Sequence, residues 1–371
     1  MQIRQLRVGE GLIDSGRLLP KYSQLKEYLK KQILQGKILY GQQVASENIL
    51  VKQFQMSRQT VRQALGDLEN EGWIEREQGR GTFCIYREKL KTKGNIAVLA
   101  TYISEYIFPT LIRGIEEILS EAGYTLILAN TNNDKIKEAQ CLENILNQDI
   151  AGVIIEPTKS SQPNVNIDYF REFEKRRIPY LMLHAFFNDL DPAYIIMDDY
   201  QGGYLAAQYL IQLGHREIAA IFKADDLQGV KREAGFTAAM KEHHLDIQPK
   251  YLGNYRTEEM LSFSELFVQN LIETQPHPTA IVCYNDQIAL KVMEAIRNHG
   301  LKIPDDISVI GFDDASLATA SEIKLTTIKH PKAEMGRKAA KFIIDMVENR
   351  LEKPSFIYQP ELIIRKSCRS L

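Results

Sequence analysis

Apolar positions in the first ninety residues recur at the spacing of short helices. From Pro20 to Gln35, Tyr22, Leu25, Tyr28, Leu29 and Ile33 return every three or four residues, and Gly36 follows as a stop. Ser46 heads a second short helix that reaches about Phe54. Ser57 heads a third, to about Glu71, whose stripe of Val61, Ala64, Leu65 and Leu68 faces a core before Gly72 ends it. In "WIEREQGRGTFCIY" two strand-like runs flank Gly79-Arg80-Gly81, which predicts a β-hairpin. Three helices and a hairpin make a winged helix-turn-helix domain over residues 18–86.

Beyond residue 95 the pattern changes to continuous apolar runs alternating with amphipathic helices: "NIAVLATYI", "TLILAN", "GVIIEP", "PYLMLHA", "YIIMDD", "EIAAIFKA", "AIVCYND" and "SVIGFDD". Such runs suit strands covered on both faces, so the fold class is α/β with parallel sheets. The segment is too long for one comfortable sheet, which predicts two lobes with a cleft between them. The expected organisation is an extension of unknown role at 1–17, the winged domain, a charged linker at 87–94, and a two-lobed domain at 95–371. Its first lobe takes about 95–197 and 330–357, and its second about 198–329 and 358–371. Residues 1–17 match neither domain, and are expected to be a flexible arm or the product of a start assigned upstream of Leu18. Several runs end in polar residues, Glu156, His184, Asp198, Asp286 and Asp313, at the end of the sheet where ligands bind in such folds.

The balance of 46 basic and 48 acidic residues hides an asymmetry. Residues 1–90 hold 15 Lys and Arg against 10 Asp and Glu, net +5; the remainder holds 31 against 38, net −7. A basic amino-terminal piece on an acidic body predicts contact with a polyanion. The composition, 44% hydrophobic and 25% charged, excludes a disordered chain. The four cysteines are scattered, with no zinc spacing, and no apolar run is long enough to span a membrane. A cytoplasmic protein without metal or cofactor is the expectation.

Arg58, Gln59 and Arg62 project from the exposed side of the third helix near its capped start. That is the end a recognition helix presents to the major groove, where Arg reads guanine and Gln reads adenine. At the hairpin tip, Gly79 and Gly81 let the backbone around Arg80 approach closely, and a narrow minor groove attracts its guanidinium. Gln78 is placed for phosphate or a base edge. A solvated charged face and a plain glycine turn are the competing readings, and the surrounding helix-turn-helix weighs against both.

The run "GQQVASENILVKQFQMSRQTVRQALGDLENEGWIEREQGRGTF" resembles the winged-helix DNA-binding domain of the GntR family, with Ala45 where that family usually carries proline. Ser57 as the cap leaves first-turn N–H groups facing outward, where they can also meet a phosphate. The resemblance implies that Arg58, Thr60 and Arg62 face DNA, that Glu47 and Lys21 support or contact DNA, and that Gly79 to Gly81 form the wing tip. "YQGGYLAAQYLIQLGHREIAAI", "VKREAGF", "CYNDQIAL" and "IPDDISVIGFDD" with "LTTIKHP" resemble the LacI/GalR effector domain, which shares the fold of periplasmic sugar-binding proteins. This resemblance implies that Arg232 grips ligand hydroxyls and that Asn285 and Asp313 add polar contacts. Glu156, His184 and His330 fall at pocket positions, and Tyr106 or Phe108 could stack on a sugar ring. His184 reads equally as a hydrogen-bonded core residue. Asp286 is also placed to cap the helix that follows it.

Together the two resemblances imply a transcriptional repressor that binds operator DNA as a homodimer and is released by a small sugar, L-arabinose. A different pentose or hexose, or a solute-binding protein for sugar transport, are the alternatives. A sugar-modifying enzyme is disfavoured, since neighbouring strand residues in "FDD" and "MDD" point to opposite faces and no phosphate loop or triad is present.

Overall fold

The computed structural model describes residues 20–86, 92–260, 262–273 and 276–371; the extension at 1–17 and most of the charged linker lie outside them. The chain divides into two compact units, residues 1–90 and 91–371.

In the first unit, α1 (Lys21–Leu34), α2 (Glu47–Phe54) and α3 (Arg58–Asn70) precede strands β1 (Ile74–Glu77) and β2 (Gly81–Cys84). Leu25, Leu29, Leu50, Val61, Leu65, Leu68 and Ile74 form one buried cluster, which is why the three-helix periodicity was readable in the sequence. The Ser57 hydroxyl accepts from Thr60 N–H at 3.2 Å and so caps α3. Ser46 flanks α2 in extended backbone but makes no side-chain cap, contrary to the pattern it suggested. The hairpin is antiparallel, pairing Ile74 with Cys84 and Glu77 with Gly81. Residues 42–44 run alongside β2 through one antiparallel bridge, Gln43 to Phe83, that the sequence did not suggest: Val44 N–H donates to Thr82 O at 2.8 Å and Cys84 N–H to Gln42 O at 2.9 Å.

The second unit contains two six-stranded sheets. One is built from β3 (Asn95–Ala100), β4 (Thr125–Asn130), β5 (Gly152–Ile155), β6 (Tyr180–Leu183), β7 (Ala193–Met197) and, from far along the chain, Ser355–Tyr358. Its order is Ser355–Tyr358, β7, β6, β5, β3, β4, and every neighbouring pair is parallel. The other takes β8 (Ile218–Lys223), β9 (Leu252–Tyr255), β10 (Ala280–Cys283), β11 (Ser308–Asp313), β12 (Thr326–Lys329) and the strand Glu361–Ile363, which alone runs antiparallel. The chain crosses between sheets three times: after β7, after β12, and between Tyr358 and Glu361. Residues 93 and 94 already belong to this body, since Lys93 N–H donates to Gly123 O at 2.8 Å and Thr125 N–H to Gly94 O at 3.0 Å.

Helices Asp199–Gln212 and Leu227–Glu242 cross with their backbones in contact. A Cβ at Gly203 would lie 2.0 Å from Arg232 O, and one at Gly235 would lie 1.9 Å from Tyr200 O, so only glycine permits this approach.

Candidate functional site

In the winged unit, the outer side of α3 exposes Arg58, Gln59 and Arg62. Both arginines are held by α2. Arg58 Nη2 donates to Asn48 Oδ1 at 2.9 Å, and Arg62 Nε pairs with the Glu47 carboxylate at 3.0 Å. Thr60, which the Ser57 cap also meets through its hydroxyl at 2.8 Å, is half-buried at the start of the helix. Lys21 opens α1 and is exposed. Gln78, Gly79 and Arg80 form the exposed hairpin tip; Gly79 and Gly81 take φ of 76° and 124°, the left-handed region that the turn requires. Arg80 pairs with Glu77 at the tip. Arg76, which the sequence did not single out, sits against the recognition helix, its Nη2 3.3 Å from Arg62 O. Arg58, Arg62, Arg76 and Arg80 are thus exposed guanidinium groups on α3 and the hairpin, the side-chain type that phosphate and base-edge recognition uses.

In the second unit a cleft of about 840 Å³, open mouth included, lies at the carboxyl ends of both sheets. Tyr106, Phe108, Glu156, His184, Arg232, Asn285 and Asp313 line it. His330 does not; it is buried behind His184, with ring centroids 5.0 Å apart, and neither of its nitrogens has a partner among the described residues. Burial, with the charges of His184, Lys332 and Arg232, holds His330 well below the ordinary imidazole pKa, so it stays neutral.

Arg232 is the centre of the polar set. Its Nε donates to Asp199 at 2.8 Å and its Nη1 to Tyr284 O at 2.7 Å, Asp313 lies 3.8 Å from Nη2, and the Phe312 ring stacks 3.5 Å from the guanidinium carbon. Burial works against its charge, but Asp199 and Asp313 outweigh it and raise its pKa further. On the opposite wall, His184 Nδ1 meets Glu156 at 2.7 Å, and Glu156 also accepts from Thr101 N–H at 2.8 Å and from its hydroxyl. Burial alone would lower His184 and raise Glu156. The hydrogen bonds and opposite charges reverse both shifts, giving a buried ion pair. His184 Nε2 keeps no partner among the described residues.

Three sequence expectations change. The Tyr106 ring does not offer itself for stacking alone: its hydroxyl is engaged across the cleft, 2.7 Å from Asp313 Oδ2, and accepts from Asp286 N–H at 3.1 Å. Asn285, rather than Asp286, caps the helix Asp286–Asn298, accepting from Ile288 N–H at 2.9 Å. Asp286 points inward instead, accepting from Ala315 N–H at 2.7 Å and Thr327 Oγ1 at 2.6 Å. Tyr106, His184 and Asp313 all hold positive φ (58°, 64° and 98°), so three of the cleft groups sit on strained backbone.

The sequence missed part of the lining: Tyr102, Lys223, Asp226, Gln228, Tyr284 and Gln287. Lys223 Nζ bonds Asp226 at 2.7 Å with Asp225 at 3.6 Å, and Tyr284 OH donates to Asp226 at 3.0 Å. The signal was present in "FKADD", where a lysine ends an otherwise apolar strand. At the cleft's lip the two lobes already touch: Ser161 Oγ donates to Ala224 O at 2.7 Å, Leu227 N–H to Ser160 Oγ at 2.9 Å, and Asn133 Nδ2 to Thr257 Oγ1 at 2.7 Å. No group of acidic, histidine and cysteine side chains among the described residues is arranged to hold a metal ion. Nor is any described helix long and apolar enough to cross a membrane.

Comparison with known proteins agrees with both halves. Residues 21–84 match the family model for bacterial regulatory proteins of the gntR family, and residues 207–368 match that for the periplasmic binding protein-like domain. A LacI family transcriptional regulator from Enterococcus faecium, solved with bound ribose, superposes with a TM-score of 0.63 at 26% identity, over 75% of this chain and 99% of that one. The arabinose metabolism transcriptional repressor of Geobacillus stearothermophilus is 47% identical over 362 residues, 95% of this chain and 99% of that protein. The protein of the same name from Halalkalibacterium halodurans is 44% identical over 94% of this chain and 96% of its own length. With a gntR-type head, a sugar-regulator body and this identity along almost the whole chain, the protein belongs to the family of arabinose metabolism transcriptional repressors.

Proposed function

We propose that this repressor takes an uncharged monosaccharide, L-arabinose, in the cleft, and that the sugar releases a homodimer from operator DNA in the cytoplasm. One observation carries the choice of ligand class. Every cation in the cleft already has an acid beside it: Arg232 has Asp199 and Asp313, Lys223 has Asp225 and Asp226, and His184 has Glu156. A phosphorylated or acidic sugar would bring a charge with no counter-ion waiting, at a desolvation cost of several kcal/mol. A neutral polyol meets carboxylates, amides and hydroxyls that can take and give its hydrogen bonds, and a wall of Phe108, Tyr102 and Tyr284 for its C–H face.

Arabinose comes from the names of the relatives, and a dimer from the near-palindromic sites that helix-turn-helix proteins bind. In the mechanism, sugar contacts both lobes, favours the closed cleft, and shifts the dimer to a form whose heads no longer fit the half-site spacing. Lys21, Glu47, Ser57, Arg58, Gln59, Thr60, Arg62 and Gln78 to Gly81 serve the DNA side. Tyr106, Phe108, Glu156, His184, Arg232, Asn285 and Asp313 serve the sugar side, with His330 backing His184. A gel-shift titration with arabinose, xylose, ribose, glucose and arabinose 5-phosphate tests the reading. Release by arabinose alone supports it; release by the phosphate ester, or by none of the five, rejects it.

A further inference from the structure

The wing tip is not a free turn. Residue Gln43 lies outside the hairpin in sequence, on the extended segment beside β2, where it forms a single antiparallel bridge with Phe83. Its side chain reaches over the end of the hairpin, and Nε2 donates to the carbonyl oxygen of Arg80 at 3.0 Å. The amide lies so close to Gly81 that a Cβ there would sit 2.2 Å from Nε2 and 3.2 Å from the amide carbon. Gly81 therefore serves two needs at once: a φ of 124° and room for the Gln43 amide. The rest of the tip is held by Arg80 N–H donating to Glu77 O at 3.0 Å and by the Arg80–Glu77 ion pair.

An arginine on an exposed two-stranded tip has many rotamers and a mobile backbone, and ordering both costs free energy when it binds. A hydrogen bond to the arginine's own carbonyl from a neighbouring segment that is itself hydrogen-bonded to β2 removes part of that freedom in advance. We propose that Gln43 is a positioning residue for DNA binding: it fixes the backbone at Arg80 so that the guanidinium is presented to the groove. The idea rests on the reading that Arg80 meets DNA, and it adds a residue that lies outside both the recognition helix and the hairpin.

The test is a double-mutant cycle on the full-length repressor, with operator affinity measured by fluorescence anisotropy on promoter DNA flanking its own gene. Gln43→Met keeps length and volume but loses the donor. It should weaken binding roughly three- to tenfold, the worth of one ordering hydrogen bond. In an Arg80→Ala background the same change should cost less than about twofold, because the group it positions is gone, while in an Arg58→Ala background the full cost should remain. Thermal unfolding midpoints of the single mutants should match the parent. A loss that persists in the Arg80→Ala background, or no loss in the parent, overturns the inference. If Arg80→Ala alone leaves affinity unchanged, the wing reading fails with it; if Arg80→Ala weakens binding and Gln43→Met does not, only the role of Gln43 fails.

Discussion

The hydroxyl of Tyr106, on the segment following β3 in the first sheet, lies 2.7 Å from the carboxylate of Asp313 at the end of β11 in the second. The same oxygen accepts from Asp286 N–H at the start of a helix. One side chain of the first lobe thus closes on a carboxylate and a helix start of the second, inside the cavity. Tyr106→Phe keeps the ring and removes both bonds, together with the 3.1 Å contact of the hydroxyl to Phe312 O. Bonds to charged groups contribute ~1.5–3 kcal/mol, so sugar affinity in calorimetry should fall at least about tenfold, with operator affinity in the absence of sugar preserved. Unchanged sugar affinity would show that the bridge is incidental to loading.

Arg232 neutralises two buried carboxylates at once. Arg232→Ala leaves Asp199 and Asp313 facing each other without a cation, at ~3–5 kcal/mol, so it should lose sugar binding and lower the melting point of the body. Arg232→Lys retains charge without the fork that spans Asp199 and Tyr284 O, and should melt nearer the parent while still binding sugar weakly. A lysine variant with full affinity would contradict the geometric role assigned to the guanidinium.

The Asp286 carboxyl is pushed up to about 8, first by burial and then by the charge of Asp313. An unfolded aspartate titrates near ~4. Between those values the folded chain holds a proton that the unfolded chain has released, so this group makes stability fall as pH rises, with the loss complete above about pH 8. Asp286→Asn can keep the bonds to Ala315 and Thr327 without the proton. Urea unfolding of the two proteins should diverge with increasing pH, by up to about 1.4 kcal/mol per unit, the mutant gaining. Parallel curves would remove Asp286 from the pH response.

On the DNA side, base-reading and phosphate-contacting residues separate by their signatures. Arg62→Ala should cost ~1–3 kcal/mol on the operator and relax the preference at one base position, while Lys21→Ala should weaken all duplexes alike and reduce the salt slope by about 1. Binding measured on operator and scrambled duplexes at several salt concentrations checks both. The opposite assignment of signatures would exchange their roles.

Legibility in the sequence followed how local each signal is. Ser57 could be read as a cap because the acceptor and its N–H are three residues apart, and the α3 stripe because one helix face is buried. The α/β body was readable from apolar runs that the inner strands of both sheets bury almost completely. Asp199 was not, since "MDD" shows two adjacent acids and only the packing of the next helix sends one to cap Gln201 and the other to Arg232, 33 positions away. Lys223 was lost among hydrophobic neighbours, and the segment at residues 42–44 has no periodicity of its own. Asn285 carried two meanings, ligand contact and helix cap, and sequence spacing cannot say that its carbonyl is already taken by Ile288 N–H.

The contact of Gly203 and Gly235 with the opposing backbones has a mechanical consequence. With no side-chain cushion between them, helices Asp199–Gln212 and Leu227–Glu242 must turn as a single beam. The near end of that beam starts at Asp198, where the chain leaves the first sheet, and it carries Arg232 along its length. Because the backbone Gly203 touches is that of Arg232 itself, the guanidinium is anchored at the fulcrum, and a shift of one helix against the other reaches it with no slack on the way.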